Sequence, residues 1–247
     1  MNRVKKMTGL GTIINTLAII AGGLIGLIFG KKIPARLQDT LMKSNGICVL
    51  FIGIAGTLQE MFTVENGKIS SGGTMMMIGA LSIGAVIGEL LNIDGKMERF
   101  GEWLKRKTKS EKDNSFVDGF VTASLTVSIG AMAIVGSIKD GIYGDYSILT
   151  AKAILDLIII IIMTASMGKG CIFSAIPVAV LQGSVTLLSG FIEPIMTETA
   201  LSYLSLTGSM LIFCVGVNLI WGKKIRVANL LPSIVIAVIW AIVESYI

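Results

Sequence analysis

Eight long apolar stretches restrict what this sequence can fold into. Each is close to the 17–25 residues that a helix needs to cross a bilayer, and the connections are short except for a charged segment at 92–115. The predicted spans are 8–30, 45–61, 73–91, 116–137, 148–167, 171–191, 200–221 and 228–246. Since an apolar helix satisfies its own backbone hydrogen bonds in lipid, we predict an all-α, polytopic transmembrane helical bundle.

The composition agrees with a membrane protein. Of the 247 residues, 53% are hydrophobic and only 15% are charged, whereas soluble domains carry about 25% charged residues. The chain has no histidine, which excludes histidine-based catalysis and histidine metal sites. Cys48, Cys171 and Cys214 form no CxxC motif and are interpreted as small buried hydrophobes. We therefore expect one integral membrane domain over 1–247 that is not an enzyme and has no cofactor, metal or nucleic-acid partner.

The basic residues are unevenly distributed between the connections. If the N-terminus is outside and all eight stretches cross, most of the 21 basic residues fall on the inside, as the positive-inside rule predicts. The three basic residues before the first span do not fit this pattern. They are Arg3, Lys5 and Lys6, and they would suit an inside N-terminus with seven spans. A signal peptide fits poorly, because the apolar run is too long. A start at Met7 would remove the conflict, so we predict eight spans with both ends outside and keep seven as the alternative.

Two connections show helical amphipathic patterns. Between the third and fourth spans, basic residues are interleaved with apolar ones at helical spacing: Met97, Phe100, Trp103 and Leu104. This predicts a basic interfacial helix in the headgroup region, and the alternative is a short solvated linker helix. A weaker pattern, with Leu37 and Leu41 on one face, follows Pro34 and predicts a second surface helix.

Small residues recur at every fourth position in two spans, as Gly22, Gly26 and Gly30 in the first and Ala80, Gly84 and Gly88 in the third. This spacing lets two helix backbones approach closely. Packing within one chain is the plain explanation, and a homo-oligomer formed through these glycine-rich faces is the alternative.

Lys152 and Asp156 lie four residues apart in the very apolar fifth span, a spacing that puts them on one helix face. Charges at this depth are costly unless they face protein, water or each other. Asp156, near mid-span, is suited to carry a proton or to bind a cation or a substrate amine. The alternatives are a structural ion pair for both residues and, for Lys152, extension toward the outer interface.

Five polar side chains also interrupt the apolar stretches: Asn15, Ser128, Gln182, Ser184 and Asn218. Gln182 follows a kink expected at Pro177, and broken helices with a nearby amide are common in substrate and ion sites. Interhelical hydrogen bonds explain such residues equally well. We predict a solute- or ion-binding site made by Asp156, Lys152, Gln182 and Asn15.

The remaining carboxylates are expected at the surface. Glu89 and Asp118 lie at inside ends of spans, and Asp140 and Asp145 lie in a turn-rich outer connection at 136–147. An intramembrane aspartyl hydrolase needs two buried carboxylates, and only Asp156 is expected to be buried.

Several blocks of the sequence resemble a bacterial family of inner-membrane proteins called "domain of unknown function 554". The blocks are GLGTIINTLAII (9–20), IGEL (87–90), ERFGEWL (98–104), IGAMAIVGS (129–137), KAILD (152–156), FSAIPV (173–178) and KIRVANLLP (224–232). The resemblance begins near Met7 and implies a multi-pass protein of the bacterial inner (plasma) membrane. The family's transporter label is itself an inference, so it implies no site residues.

We interpret the chain as a transporter or channel for a small solute or ion, with the lipid bilayer and that solute as its partners. The sequence contains no Walker A motif, so transport would be passive or driven by an ion gradient. The alternative is a non-transporting membrane scaffold or partner subunit that uses the glycine faces and the basic helix.

Overall fold

A computed structural model describes residues 8–30, 34–65 and 68–246. The helices are α1 Leu10–Gly30, α2 Ala35–Met61, α3 Thr74–Leu91, α4 Ile93–Lys107, α5 Phe116–Ser128, α6 Ala131–Tyr143, α7 Ser147–Met167, α8 Ala175–Leu187, α9 Ser189–Ile192, α10 Glu198–Trp221, α11 Val227–Leu230 and α12 Pro232–Glu244. Two 3₁₀ turns, Lys169–Ser174 and Glu193–Ile195, and one antiparallel hairpin, β1 Phe62–Glu65 with β2 Lys68–Ser71, complete the described elements. This composition confirms the all-α prediction.

Seven described helices are long and apolar enough to cross a membrane, and a bent pair, α5 with α6, supplies an eighth candidate. The 3₁₀ turn before α8 counts with α8 as one span, and α11 counts with α12. The described chain contacts divide into two compact units. Unit 1 contains α1 and α5–α9, and unit 2 contains α3, α10–α12 and most of α2. The prediction of one integral membrane domain over 1–247 stays a prediction.

Helix directions within unit 1 bear on the number of spans. Gly11 of α1 lies against Leu149 of α7, and Gly30 lies against Ala165, so α1 and α7 run parallel. Helices α2 and α3 and the bent pair separate them in the sequence. If each long helix crosses the membrane, α1 and α7 are parallel only when the bent pair crosses as well.

Helix directions within unit 2 independently indicate that the bent pair crosses the membrane. Gly79 of α3 lies against Trp240 of α12, and Gly88 lies against Asn229 at the start of the same span, so α3 and α12 run antiparallel. A bent pair that returned to its starting side would make them parallel. The helix directions therefore favour eight spans over seven.

Two predicted boundaries are wrong. The predicted span 116–137 breaks at residues 129–130 into α5 and α6, whose axes differ by 62°. Gly130 has φ +140°, a conformation that side chains with a Cβ rarely adopt. The surface helix predicted after Pro34 is the first part of α2, so it is not a separate element.

The glycine stripes pack helices inside each unit. A Cβ on Gly22 would lie 2.7 Å from the Leu157 carbonyl oxygen of α7, and one on Gly26 would lie 2.5 Å from the Ile161 carbonyl oxygen. In unit 2, Gly84 lies against Ser233, and Ala80 belongs to a buried cluster with Met76, Leu206 and Ala237. The stripes therefore serve packing within the chain, and the homo-oligomer alternative stays a prediction.

The interfacial helix predicted between the third and fourth spans is present as α4. Leu104 is buried, while Phe100 and Trp103 are nearly half exposed. The Lys107 ammonium lies 6.0 Å from the centre of the Trp103 ring. Exposed aromatic rings beside basic residues suit the headgroup region of a bilayer.

Eight spans with outside ends predict which positions a membrane-impermeant thiol reagent reaches in intact cells. We expect Ile69→Cys in the hairpin and Tyr246→Cys near the C-terminus to be labelled directly, and Lys109→Cys only after permeabilisation. The background is a variant without the native Cys48, Cys171 and Cys214. Labelling of Tyr246→Cys only after permeabilisation, with Ile69→Cys labelled directly, would contradict eight spans and indicate that the bent pair of α5 and α6 does not cross the membrane.

Candidate functional site

Lys152 and Asp156 form an ion pair on the buried face of α7. Their residues are 6% and 4% exposed, and the Lys152 Nζ lies 2.8 and 2.6 Å from the two carboxylate oxygens of Asp156. The i, i+4 spacing within an aliphatic helix brings the two side chains together. The alternative in which Lys152 extends toward the outer interface is wrong for this structure, because the side chain turns along α7 to Asp156.

The end of α5 supplies a third oxygen to the Lys152 ammonium. This oxygen is the main-chain carbonyl of Val127, to which Lys152 Nζ donates a hydrogen bond of 2.7 Å. Val127 is the penultimate residue of α5, and the last carbonyls of a helix lack partners within it and carry partial negative charge. Three oxygens from two helices therefore hold the ammonium. This acceptor was not predicted from the sequence, because 116–137 was expected to be one unbroken span.

Two amide side chains lie beside the pair or at its level. Asn15 of α1 is fully buried and close enough to Asp156 for an electrostatic interaction. Neither polar atom of Asn15 makes a hydrogen bond to a described residue. Gln182 of α8 is also buried with both amide atoms unpartnered. These are the two amides that the sequence predicted for the site.

The position of Gln182 follows from the direction of α8. Ile172, just before α8, lies beside Gly23 of α1. Thr186, near the end of α8, lies beside Gly141, whose neighbour Asp140 binds the Gly11 N–H at the start of α1. Helix α8 therefore runs antiparallel to α1. We call the end of unit 1 at which α1 and α7 begin its upper end. One turn below Thr186, Gln182 is at about the level of Asn15. We define the polar layer as Asn15, Lys152, Asp156, Gln182 and the Val127 carbonyl.

The polar layer ends abruptly one helical turn below. The buried residue one turn down is Ile19 on α1, Ile160 on α7 and Val178 on α8, and all three are fully buried. Each lies four residues from a polar-layer residue, on the same helix face. Unit 1 therefore changes from polar to aliphatic immediately below the ion pair.

Asp140 is a second buried carboxylate, and the prediction that it lies in an exposed loop is wrong. It is 0% exposed, and its Oδ2 accepts a hydrogen bond of 3.0 Å from the Gly11 N–H at the start of α1. Its Oδ1 has no described partner. The helical spacing of Ala133, Gly136 and Asp140 in α6, all buried, could have revealed an inward-facing side, but the turn-rich composition hid it.

Buried polar atoms without hydrogen-bond partners are concentrated in the same unit. In the part of the chain that the structure describes, all such side-chain atoms belong to residues of unit 1: Thr12, Asn15, Ser128, Ser137, Asp140, Thr164, Gln182 and Thr186. Folded proteins satisfy most buried polar atoms, and each one left unsatisfied costs about 1–3 kcal/mol. Apart from Thr164, which lies two turns below Asp156 on α7, these atoms belong to the polar layer or the region above it, which are therefore suited to receive water or a polar ligand.

The kink that we expected at Pro177 is absent. Pro177 is the third residue of α8, in the first turn, where a missing N–H removes no intrahelical hydrogen bond. The preceding 3₁₀ turn, Lys169–Ser174, makes the local change in helix type instead. Ser184, also on α8, is exposed and does not belong to the polar layer.

Asn218 has a structural role in unit 2. Its side-chain oxygen accepts hydrogen bonds of 2.9 Å from the Lys224 and Ile225 N–H groups, and its amide donates to the Ile225 carbonyl. These bonds fix the turn after α10. This matches the hydrogen-bonding alternative stated for such residues.

Glu89, which was predicted to face solvent, also belongs to an ionic cluster in unit 2. Glu89 accepts hydrogen bonds of 2.6 Å from Arg226 and Asn229, and Lys223 binds Asp94 at 2.6 Å and also Glu98. Partial burial of Lys223 lowers its pKa, but hydrogen bonds and charges from Asp94 and Glu98 outweigh this and raise the pKa above its ordinary value. Asp118 is exposed, as predicted.

Comparisons with known proteins agree with the resemblance seen in the sequence. Residues 10–242 match the family described as "Protein of unknown function (DUF554)". The uncharacterized membrane protein YdfK of Bacillus subtilis (strain 168) is 31% identical over 226 residues, covering 92% of this chain and 93% of that protein. The uncharacterized protein YqgA of Escherichia coli (strain K12) is 25% identical over 232 residues, covering 92% and 94%. No solved structure matches. The chain belongs to the DUF554 family, and it is a membrane protein built from apolar helices.

Proposed function

We propose that this protein is a transporter or channel that moves a small solute or ion across the bacterial plasma membrane, with the polar layer as its binding site. The observation that carries the proposal is the buried Lys152–Asp156 pair, with the Asn15 amide beside Asp156 and the unpartnered Gln182 amide at about the same level of unit 1. An ion pair retained only for structure should have its remaining polar neighbours satisfied, because unpaired groups are costly at low dielectric. Polar groups left free around a charge at mid-membrane are typical of substrate and ion pathways.

The shape of unit 1 supports access from one side at a time. Ile19, Ile160 and Val178 close the polar layer directly below, and the buried polar residue Thr164 lies one further turn down on α7. Our topology places the upper end outside, so a solute would enter from there. Release to the inside would require the three aliphatic side chains to separate, and α5 and α6 provide a broken helix beside the site, as in many transporters.

The test is tracer uptake into proteoliposomes, with sodium, potassium, amino acids, sugars and organic acids supplied one at a time. We expect at least one solute to enter faster than in empty liposomes. Asp156→Asn should slow this uptake at least about tenfold, because the loss of one charge-assisted hydrogen bond is worth about 1.5–3 kcal/mol.

The matched control is Ser184→Ala, which changes an exposed side chain on α8 outside the polar layer and should leave uptake unchanged. Wild-type liposomes that take up none of these solutes faster than empty liposomes would contradict the proposal and favour the membrane scaffold. Equal uptake by wild type and folded Asp156→Asn would remove the polar layer from the pathway.

A further inference from the structure

We infer that the Lys152 ammonium occupies a binding site for a monovalent metal cation, such as Na⁺ or K⁺, and that the cation and the ammonium exchange at Asp156. This inference rests on the proposed function and names the ion that the polar layer would bind. During the exchange, Lys152 would move to Asp140, so that one lysine alternates between two buried aspartates.

The ligands of the ammonium are those of a hard cation. Lys152 Nζ is surrounded by two Asp156 oxygens and the Val127 carbonyl oxygen at 2.6–2.8 Å. Asn15, fully buried beside Asp156, offers an unpartnered amide oxygen. Backbone carbonyls at the C-terminal end of a half-helix coordinate Na⁺ in membrane transporters, and carboxylate and amide oxygens are ligands of hard cations. With the ammonium displaced, the same oxygens could surround a metal ion.

The buried charges of unit 1 favour a monovalent cation. Among the described residues of unit 1, the buried charged side chains are Asp140, Lys152 and Asp156. With both carboxylates ionised, these three groups carry a net charge of −1, and a net buried charge is unfavourable. One monovalent cation neutralises the set, whereas a divalent cation would reverse the imbalance.

The second position for Lys152 is defined by geometry. Leu149, one turn above Lys152 on α7, lies beside Gly11, whose N–H binds the Asp140 carboxylate. Asp140 is therefore about one turn above Lys152, as Asp156 is about one turn below. A lysine side chain is long enough to reach one turn in either direction. The unpartnered Asp140 Oδ1 is an available acceptor for the ammonium.

The test measures the thermal unfolding of purified protein in detergent at constant ionic strength, in NaCl, KCl or choline chloride. A ligand that binds only the folded protein raises the melting temperature. We expect Na⁺ or K⁺, but not choline, to raise it in a saturable way. Lys152→Met removes the competing ammonium and should bind the same cation at least about tenfold more tightly, since no exchange is then needed.

A double-mutant comparison tests the exchange itself. Asp140→Asn should weaken cation binding in the wild-type background by removing the second position for Lys152, and should have little effect in the Lys152→Met background. Asp156→Asn should abolish the cation effect. Circular dichroism and gel filtration establish that each variant is folded before it is compared.

The outcomes separate this inference from the proposed function. If neither Na⁺ nor K⁺ stabilises wild type or Lys152→Met, or if stability responds only to pH, the cation site is excluded, although solute uptake can still occur. An equal cation effect in Asp156→Asn also overturns it. Cation binding that depends on Asp156, in a protein that transports no solute or ion, would support the site and contradict the proposed function.

Discussion

Asp156→Ala is expected to lower the free energy of unfolding by about 3–5 kcal/mol, because it leaves the Lys152 ammonium buried without its counter-ion. Lys152 is 6% exposed, and only the Val127 carbonyl would still accept a hydrogen bond from it among its present partners. The loss should appear as a lower unfolding midpoint in detergent. The difference from wild type should be largest in the presence of a cation that binds at Asp156, because that cation would stabilise wild type and not the variant.

Two further variants separate a buried pair from an exposed one. Replacing both residues, as Lys152→Met with Asp156→Leu, should recover most of the lost stability, because neither position then carries a charge, while uptake stays lost. Arg226→Ala breaks an ion pair with Glu89 whose side chains are 64% and 59% exposed, and should change stability by about 1 kcal/mol or less. If Asp156→Ala is as mild as Arg226→Ala, Lys152 is well hydrated or has moved to Asp140, and the argument that Asp156 is its required counter-ion is wrong.

The features of this protein that depend on local periodicity could be predicted from the sequence. Long apolar runs gave the spans, a separation of four residues gave the Lys152–Asp156 pair, and glycines at every fourth position gave the close helix contacts. Each follows from the geometry of a single helix. Asn15 and Gln182 could be predicted as site residues because each is an amide within an otherwise apolar helix.

The features that depend on contacts between distant segments could not be predicted. Asp140 looks like a loop residue because Gly141, Gly144 and Asp145 follow it, and only the packing of α6 beside the start of α1 buries it. The Val127 carbonyl is available because the helix is interrupted at Gly130. A single glycine in an apolar run does not predict such an interruption. The third ligand of the ammonium and the buried position of Asp140 could not be predicted, because both depend on contacts between segments that are distant in the sequence.

Gly26→Leu is expected to lower the free energy of unfolding by about 3 kcal/mol, toward the upper end of the usual cost of overpacking. A Cβ at this position would lie 2.5 Å from the Ile161 carbonyl oxygen and 2.8 Å from the Thr164 Cβ. Because a backbone atom is involved, the clash cannot be relieved by a side-chain rotation alone, and α1 and α7 must separate. Asn15 and Asp156 are on these two helices, so the polar layer should also be disturbed.

The matched control is Gly183→Leu on α8, where no atom lies within 4 Å of a Cβ. Leucine also favours a helix by almost 1 kcal/mol over glycine, so this variant should be neutral or slightly stabilising. Unfolding midpoints and gel filtration of both variants are the measurements. If Gly26→Leu remains as stable as wild type but changes from an oligomer to a monomer, the first glycine stripe is a subunit interface. Loss of stability without a change in oligomeric state places the contact inside unit 1, where it holds α1 and α7 together below the ion pair.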